Sequence, residues 1–221
     1  EILKNFVLKV CNANQDWTME KFVENSVENI SKVDGNVLCG VSGGIDSTVA
    51  ALLIQKAIGN RLKCVFVDNG LLRLNEAEEI ETMFKNNFEV NFTKVDGQEQ
   101  FLSELKGVID PEEKRKIIGE EFVKIFTNFS KENGPFTWLA QGTLYPDVIE
   151  SGVSKGPASV IKTHHNVGGL PAWLDLKVLE PLRDLYKDEV RKVAKIIGVP
   201  QNLLVRHPFP GPGLAVRIIG E

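Results

Sequence analysis

An α/β fold is predicted by this sequence: a doubly wound, mainly parallel five-stranded sheet with helices on both faces. Three observations predict it. Apolar strand-like runs alternate with helix-patterned segments from Val37 to Ile197. The first of these runs opens into a glycine-rich turn that continues as a helix. The chain has 221 residues, a length that suits one such domain with appendages. Strands separated by helices pair in parallel through βαβ units. Ligands of such sheets sit beyond the carboxyl ends of the strands, where the strand order reverses.

The elements follow in order. Ile2 to Cys11 puts Phe6, Val7 and Val10 on one helical face. A second helix is expected from Met19 to Ser31 behind a Thr18 cap, with Phe22, Val23, Val27 and Ile30 as its stripe. Both are read as packing elements. Strands are expected at Val37 to Val41, Leu62 to Val67, Val90 to Val95, Thr137 to Ala140 and Leu176 to Leu179. Helices are expected at Thr48 to Ala57, Asn75 to Phe84, Glu112 to Phe129 and Lys187 to Ile197. Asp110-Pro111-Glu112-Glu113 is a cap, a proline at the first helical position and acids in the first turn; Gly198 and Pro200 end the last helix. Ser151 to Pro171 is rich in Gly, Ser, Lys and His without periodicity, which is the character of an active-site lid or a disordered segment.

Composition excludes several classes. At 43% apolar and 25% charged the chain is that of a globular protein, and a formal charge of -4 leaves no footprint for nonspecific nucleic-acid binding. No apolar run approaches a membrane span and no signal-peptide pattern opens the chain. Cys11, Cys39 and Cys64 are odd in number and lack paired spacing, which fits a reducing cytosol. The chain starts without Met and stops just after an apolar run, so it reads as a piece of something longer.

The turn that follows the first strand is Ser42-Gly43-Gly44-Ile45-Asp46-Ser47-Thr48. Adjacent glycines let the backbone approach a ligand, and the first N–H groups of the helix point at an anion with the helix dipole behind them. A Walker A loop would carry a lysine here to reach the outer phosphates, but Asp46 occupies the place. An acid beside phosphates makes sense with magnesium between them, so Asp46 is the candidate metal ligand and the missing cation must come from elsewhere.

Other strand ends carry further candidates. Asp68-Asn69-Gly70 follows the second strand and suits contact with a nucleotide's sugar or base, through the Asp68 carboxylate or the main chain of Val67; a capped turn is the equal alternative. In Lys114-Arg115-Lys116 the two lysines are read as a solvated face, while Arg115 is a candidate for an anionic substrate. After the fourth strand, Asp147 and Glu150 are candidates for metal or proton chemistry, against a surface helical turn with acids three apart. Lys162, inside the expected lid, could deliver a cation to the anion site on closure. The neighbouring His164 and His165 lack the spacing of a zinc site. Arg206 and His207 open a proline-glycine turn, either a linker or a substrate contact.

Ser42 to Ser47 resembles the PP-loop of the ATP pyrophosphatases. Together with Phe66 to Gly70, Asp110 to Gly119, Gln141 to Ser151, Ile161 to Pro171, Glu180-Pro181-Leu182, Lys187 to Arg191 and Arg206 to Gly213, it resembles the ATP pyrophosphatase domain of the GMP synthases. The resemblance implies an adenine nucleotide alpha hydrolase-like fold and ATP with Mg2+. It also implies XMP as substrate, and adenylation of XMP followed by amination to GMP. By position it implies that Ser42 to Thr48 hold pyrophosphate, Val67 meets adenine, Arg115 meets XMP, and Asp147, Glu150 and Lys162 support adenylation. It further implies a division into an N-terminal helical segment (1–34), the catalytic domain (35–205) and a connection (206–221). The partners it implies are a glutamine amidotransferase domain or subunit supplying ammonia and a dimerisation domain making a homodimer, in the cytoplasm, with no nucleic acid and no membrane. The alternatives are a nucleotide-binding fragment inactive without its missing domains, and another PP-loop ligase such as NAD synthetase.

Overall fold

The computed structural model describes residues 1–152, 176–204 and 211–220. Five strands form one sheet: β1 (Val37–Gly40), β2 (Leu62–Asp68), β3 (Asn91–Asp96), β4 (Trp138–Ala140) and β5 (Lys177–Leu179). They lie in the order β3-β2-β1-β4-β5, and every pairing is parallel. The order reverses at β1, so the space beyond the carboxyl ends of β1 and β4 is the switch point at which such sheets take their ligands.

Helices cover both faces because both faces of the central strands are apolar. Val37, Cys39, Leu62, Cys64 and Phe66 point into one core, shared with residues of α2 (Met19–Ser31), α3 (Ile45–Ile58), α4 (Glu76–Asn87) and α8 (Lys187–Ile196). Leu38, Val65 and Val67, the alternate residues of the same strands, join the other core with α5 (Gln98–Leu105) and α6 (Pro111–Asn133). Register matches Val37 with Leu62 on one side and Trp138 on the other, which brings the ends of β1 and β4 level.

Local signals held where they were strongest. The Thr18 hydroxyl accepts the Lys21 N–H at 3.3 Å, and one Asp110 carboxylate oxygen accepts the N–H groups of Glu112 and Glu113 at 3.0 and 2.9 Å. Gly198, at a φ of +83°, follows α8. Three differences stand out. Helix α3 starts at Ile45 rather than Thr48, because extended Gly44 takes the cap position and draws Asp46 and Ser47 into the first turn. Helix α5 occupies a stretch assigned to no element and is anchored by buried Phe101, while α7 (Tyr145–Gly152) extends the helical turn given as the alternative at Asp147 and Glu150. The first segment is α1 (Ile2–Asn5) followed by a π-helical turn, Phe6–Val10. Its apolar face is not buried among the described residues: Phe6, Val7 and Val10 are all exposed. A short helix α9 (Gln201–Leu204) follows α8.

The reading of Lys114 as part of a solvated face is wrong. Lys116 is exposed, but Lys114 is only 4% exposed, because it falls on the core side of α6, four residues before buried Ile118. Residues 211–220 are not a free linker either, since Ala215 is buried in the α5–α6 core.

Candidate functional site

The turn after β1 closes on itself through its two serines. Ser47 Oγ accepts the Ser42 N–H at 3.1 Å, lies 3.2 Å from Ser42 Oγ and donates to the Gly44 carbonyl at 3.1 Å. Gly43 stands at a φ of +74°, a left-handed conformation that favours glycine. The first bond of the α3 ladder runs from the Thr48 N–H to the Gly44 carbonyl at 3.1 Å. The N–H groups of Ile45, Asp46 and Ser47 therefore precede the ladder and are directed along the helix axis at the loop mouth. Thr48 itself is fully buried with its hydroxyl donated to the Gly44 carbonyl at 2.9 Å, so it braces the loop and offers a ligand no hydroxyl.

Beside this cradle Asp46 meets a cation. Its Oδ2 lies 2.5 Å from Nζ of Lys187, the first residue of α8. Its Oδ1 is buried and has no hydrogen-bond partner. A carboxylate oxygen left bare next to an anion cradle is suited to a cation, so the residues present fit a magnesium ion shared with phosphates. Among the described residues no group of three His, Cys, Asp or Glu gathers to hold a metal. Asp46 would thus be its protein anchor, and phosphate and water would complete the shell, as Mg2+ prefers. Lys187 thus puts a cation beside a loop that carries none of its own, and sequence reasoning assigned it no role. Only the packing of α8 beside α3 shows that it reaches Asp46.

The β4 end packs directly on the loop. A Cβ on Gly142 would lie 3.0 Å from the carbonyl carbon of Asp46 and 3.0 Å from the Ser47 nitrogen, so glycine alone permits this approach. The next turn bears Asp147, whose Oδ2 accepts the Leu144 N–H at 2.9 Å and so caps α7. Glu150 lies one turn further along α7. The Tyr145 N–H donates to the Leu185 carbonyl at 3.0 Å, and the Tyr145 and Tyr186 rings meet edge-to-face at 5.4 Å. These contacts tie the start of α7 to the residues just before Lys187.

At the end of β2, Asp68 is occupied. Its Oδ1 accepts the Gly70 N–H at 3.1 Å, and its Oδ2 accepts from Gln98 Nε2 at 3.1 Å. Asn69 Oδ1 accepts the Leu71 N–H at 3.0 Å. Of the two routes open to this strand end, these bonds favour the main chain of Val67 over the Asp68 carboxylate. Arg115 sits on α6, ion-paired with Glu112 one turn before it. Lys162, Arg206 and His207, with almost all of the expected lid, lie outside the described residues.

The family model described as NAD synthase matches residues 17–123. Along its whole length the chain is 54% identical to part of the glutamine-hydrolysing GMP synthase of Acetivibrio thermocellus. The corresponding figures are 56% for the enzyme of Nitratidesulfovibrio vulgaris and 57% for that of Paraburkholderia phymatum. Along its whole length the chain corresponds to one part of these GMP synthases. It spans 43% of the first two of these relatives and 42% of the third. Among solved structures, NMN synthetase of Francisella tularensis superposes with a TM-score of 0.65 at 18% identity, covering 90% of this chain and 78% of its own. NAD+ synthetase of Burkholderia pseudomallei superposes at 0.61 and 16% identity, covering 92% and 75%. At that identity they show the fold alone, the PP-loop adenine nucleotide alpha hydrolase fold.

Proposed function

We propose that this chain is the ATP pyrophosphatase part of an enzyme that converts XMP to GMP. The 2-oxygen of xanthine attacks the α-phosphorus of ATP, the bond to the β-phosphate oxygen breaks and pyrophosphate leaves. Ammonia then attacks the base at C2 and AMP departs. Adenylation first turns a poor leaving group into AMP. The observation that carries the reading is identity above half along the whole chain to GMP synthases, in a chain whose switch point holds an anion cradle with an acid and a lysine beside it.

In this reading the N–H groups of Ile45, Asp46 and Ser47 hold the departing pyrophosphate, with Gly43 and Gly44 allowing close approach. Asp46 anchors Mg2+, which when bound neutralises charge on the phosphates. Lys187 provides the fixed cation of the cradle. Lys162 brings a further one from the lid, and Asp147 and Glu150 support adenylation. Val67 meets adenine through its main chain, and Arg115, Arg206 and His207 receive XMP. A glutamine amidotransferase domain or subunit supplies ammonia, a dimerisation domain completes a homodimer, and the protein works in the cytoplasm. Among the described residues no helix is long and apolar enough to cross a membrane.

Incubation with ATP, Mg2+, ammonium and XMP tests this directly: AMP, pyrophosphate and GMP should form together. Bound ATP without turnover would favour a fragment that needs its missing domains. The NAD synthase family match supports a third outcome. Pyrophosphate release driven by nicotinic acid adenine dinucleotide instead of XMP would move the substrate assignment to the NAD synthetases.

A further inference from the structure

Lys114 is a buried ammonium whose acceptors are all main chain. Its Nζ donates to the carbonyls of Ala215 at 3.3 Å, Ile218 at 3.2 Å and Gly220 at 2.6 Å. An ammonium has three donors, and these carbonyls use all of them. Burying a charge is costly unless it is fully bonded, and a methionine would fill the same space without that cost. What the charge adds is conformational: carbonyls 215, 218 and 220 converge on one point only when the chain between them is folded back. Lys114 thus recognises the shape of this segment.

The other end of the segment rests on the strand-end turn of β2. The Leu214 N–H donates to the Leu71 carbonyl at 2.8 Å. Gly213 stands at a φ of +64°, and a Cβ there would lie 2.3 Å from the same carbonyl oxygen. Leu71 and Ala215 share the α5–α6 core. The turn Asp68–Leu71 is fixed from one side by its own side-chain bonds and by Gln98, and from the other by residues 213–214. Residues 213–214 are held in place from behind by Lys114.

We propose that Lys114 is a positioning residue for ATP. By gripping residues 215–220 it seats Gly213 and Leu214 on Leu71, and so sets the turn beside which Val67 presents its main chain to the base; this rests on the ATP-binding reading of the site. In that reading pyrophosphate is held by the N–H groups at the start of α3 and not by that turn, so the clamp should govern affinity for ATP and leave affinity for pyrophosphate alone.

The test measures both ligands by titration calorimetry with Mg2+ present, and amide exchange at Leu214, on wild type, Lys114→Met, Lys114→Arg and Gly213→Ala. Lys114→Met and Gly213→Ala should each weaken ATP about tenfold, the equivalent of one charged hydrogen bond. Both should speed exchange at Leu214 and leave pyrophosphate binding unchanged, while Lys114→Arg keeps most of the wild-type affinity. Combining the two substitutions should cost no more than either alone, since they act through one segment. ATP bound by Lys114→Met as tightly as by wild type overturns the proposal. So does an equal loss of ATP and pyrophosphate, which marks a merely structural lysine. Should Lys114→Met fail to fold, Gly213→Ala decides by the same criteria. A wild type that binds neither ligand refutes the site reading itself.

Discussion

Asp46→Asn separates the chemistry of the loop from its stability. The Asp46–Lys187 pair is part-exposed, with side chains 29% and 37% accessible, so its loss costs at most about 1 kcal/mol. An acid in the first turn of a helix contributes about 0.3–1 kcal/mol against the dipole. Offsetting these, the change removes the charge from Oδ1, which is buried without a partner. The net is about 1 kcal/mol or less, a Tm shift of about 2–4 °C in a chain of this size. Catalysis should suffer far more, because removing one preorganised group from developing charge typically costs about 100- to 1000-fold in kcat. Pyrophosphate release with ATP, XMP and varied Mg2+ measures the rate, calorimetry of pyrophosphate with and without Mg2+ measures the metal dependence, and thermal melting measures the fold. A near-normal rate, or Mg2+-dependent pyrophosphate binding that survives the substitution, would refute the role given to the acid.

Other perturbations read other parts of the structure. Gly142→Ala forces a Cβ into the α3 backbone at 3.0 Å and should cost about 1–3 kcal/mol by denaturant midpoint, with turnover falling as the loop shifts. Cys11 is exposed and Cys39 and Cys64 are buried, and a hydrogen bond with the Cys39 sulfur, together with burial, pushes the Cys64 thiol well above its usual range. An aromatic disulfide reagent should therefore label one thiol in the native chain at mildly alkaline pH and all three in denaturant. Burial pushes the Glu121 carboxyl up, but hydrogen bonds from Lys124 and Gln100 outweigh it and leave it below its ordinary value. The stability it contributes is present above the unfolded value of about 4.3 and lost as pH falls through the folded one. The stability gap between wild type and Glu121→Gln should accordingly be full at neutral pH and close in acid, as followed by denaturant unfolding.

Much of the fold was legible because its signals are local. Alternating apolar runs marked all five strands, and side-chain caps at Thr18 and Asp110 marked two helix starts within a residue. Helix α5 escaped because its eight residues bury one large side chain, Phe101, too little to give a periodic stripe. The exposed face of Phe6, Val7 and Val10 escaped for the opposite reason: periodicity reports that a face is apolar and says nothing about what covers it.

By itself, the sequence determined that a glycine-rich turn joins the first strand to a helix, that an acid replaces the expected lysine there, and that a cation must come from elsewhere. These follow from neighbouring residues. Tertiary structure decided which cation stands beside the acid. Lys187 reaches Asp46 across 141 positions, because β5 delivers α8 alongside α3. It also turned Lys114 from a surface charge into a buried clamp on carbonyls 101 to 106 positions away. No spacing rule encodes such meetings, since they depend on strand order and on which helix face the core selects.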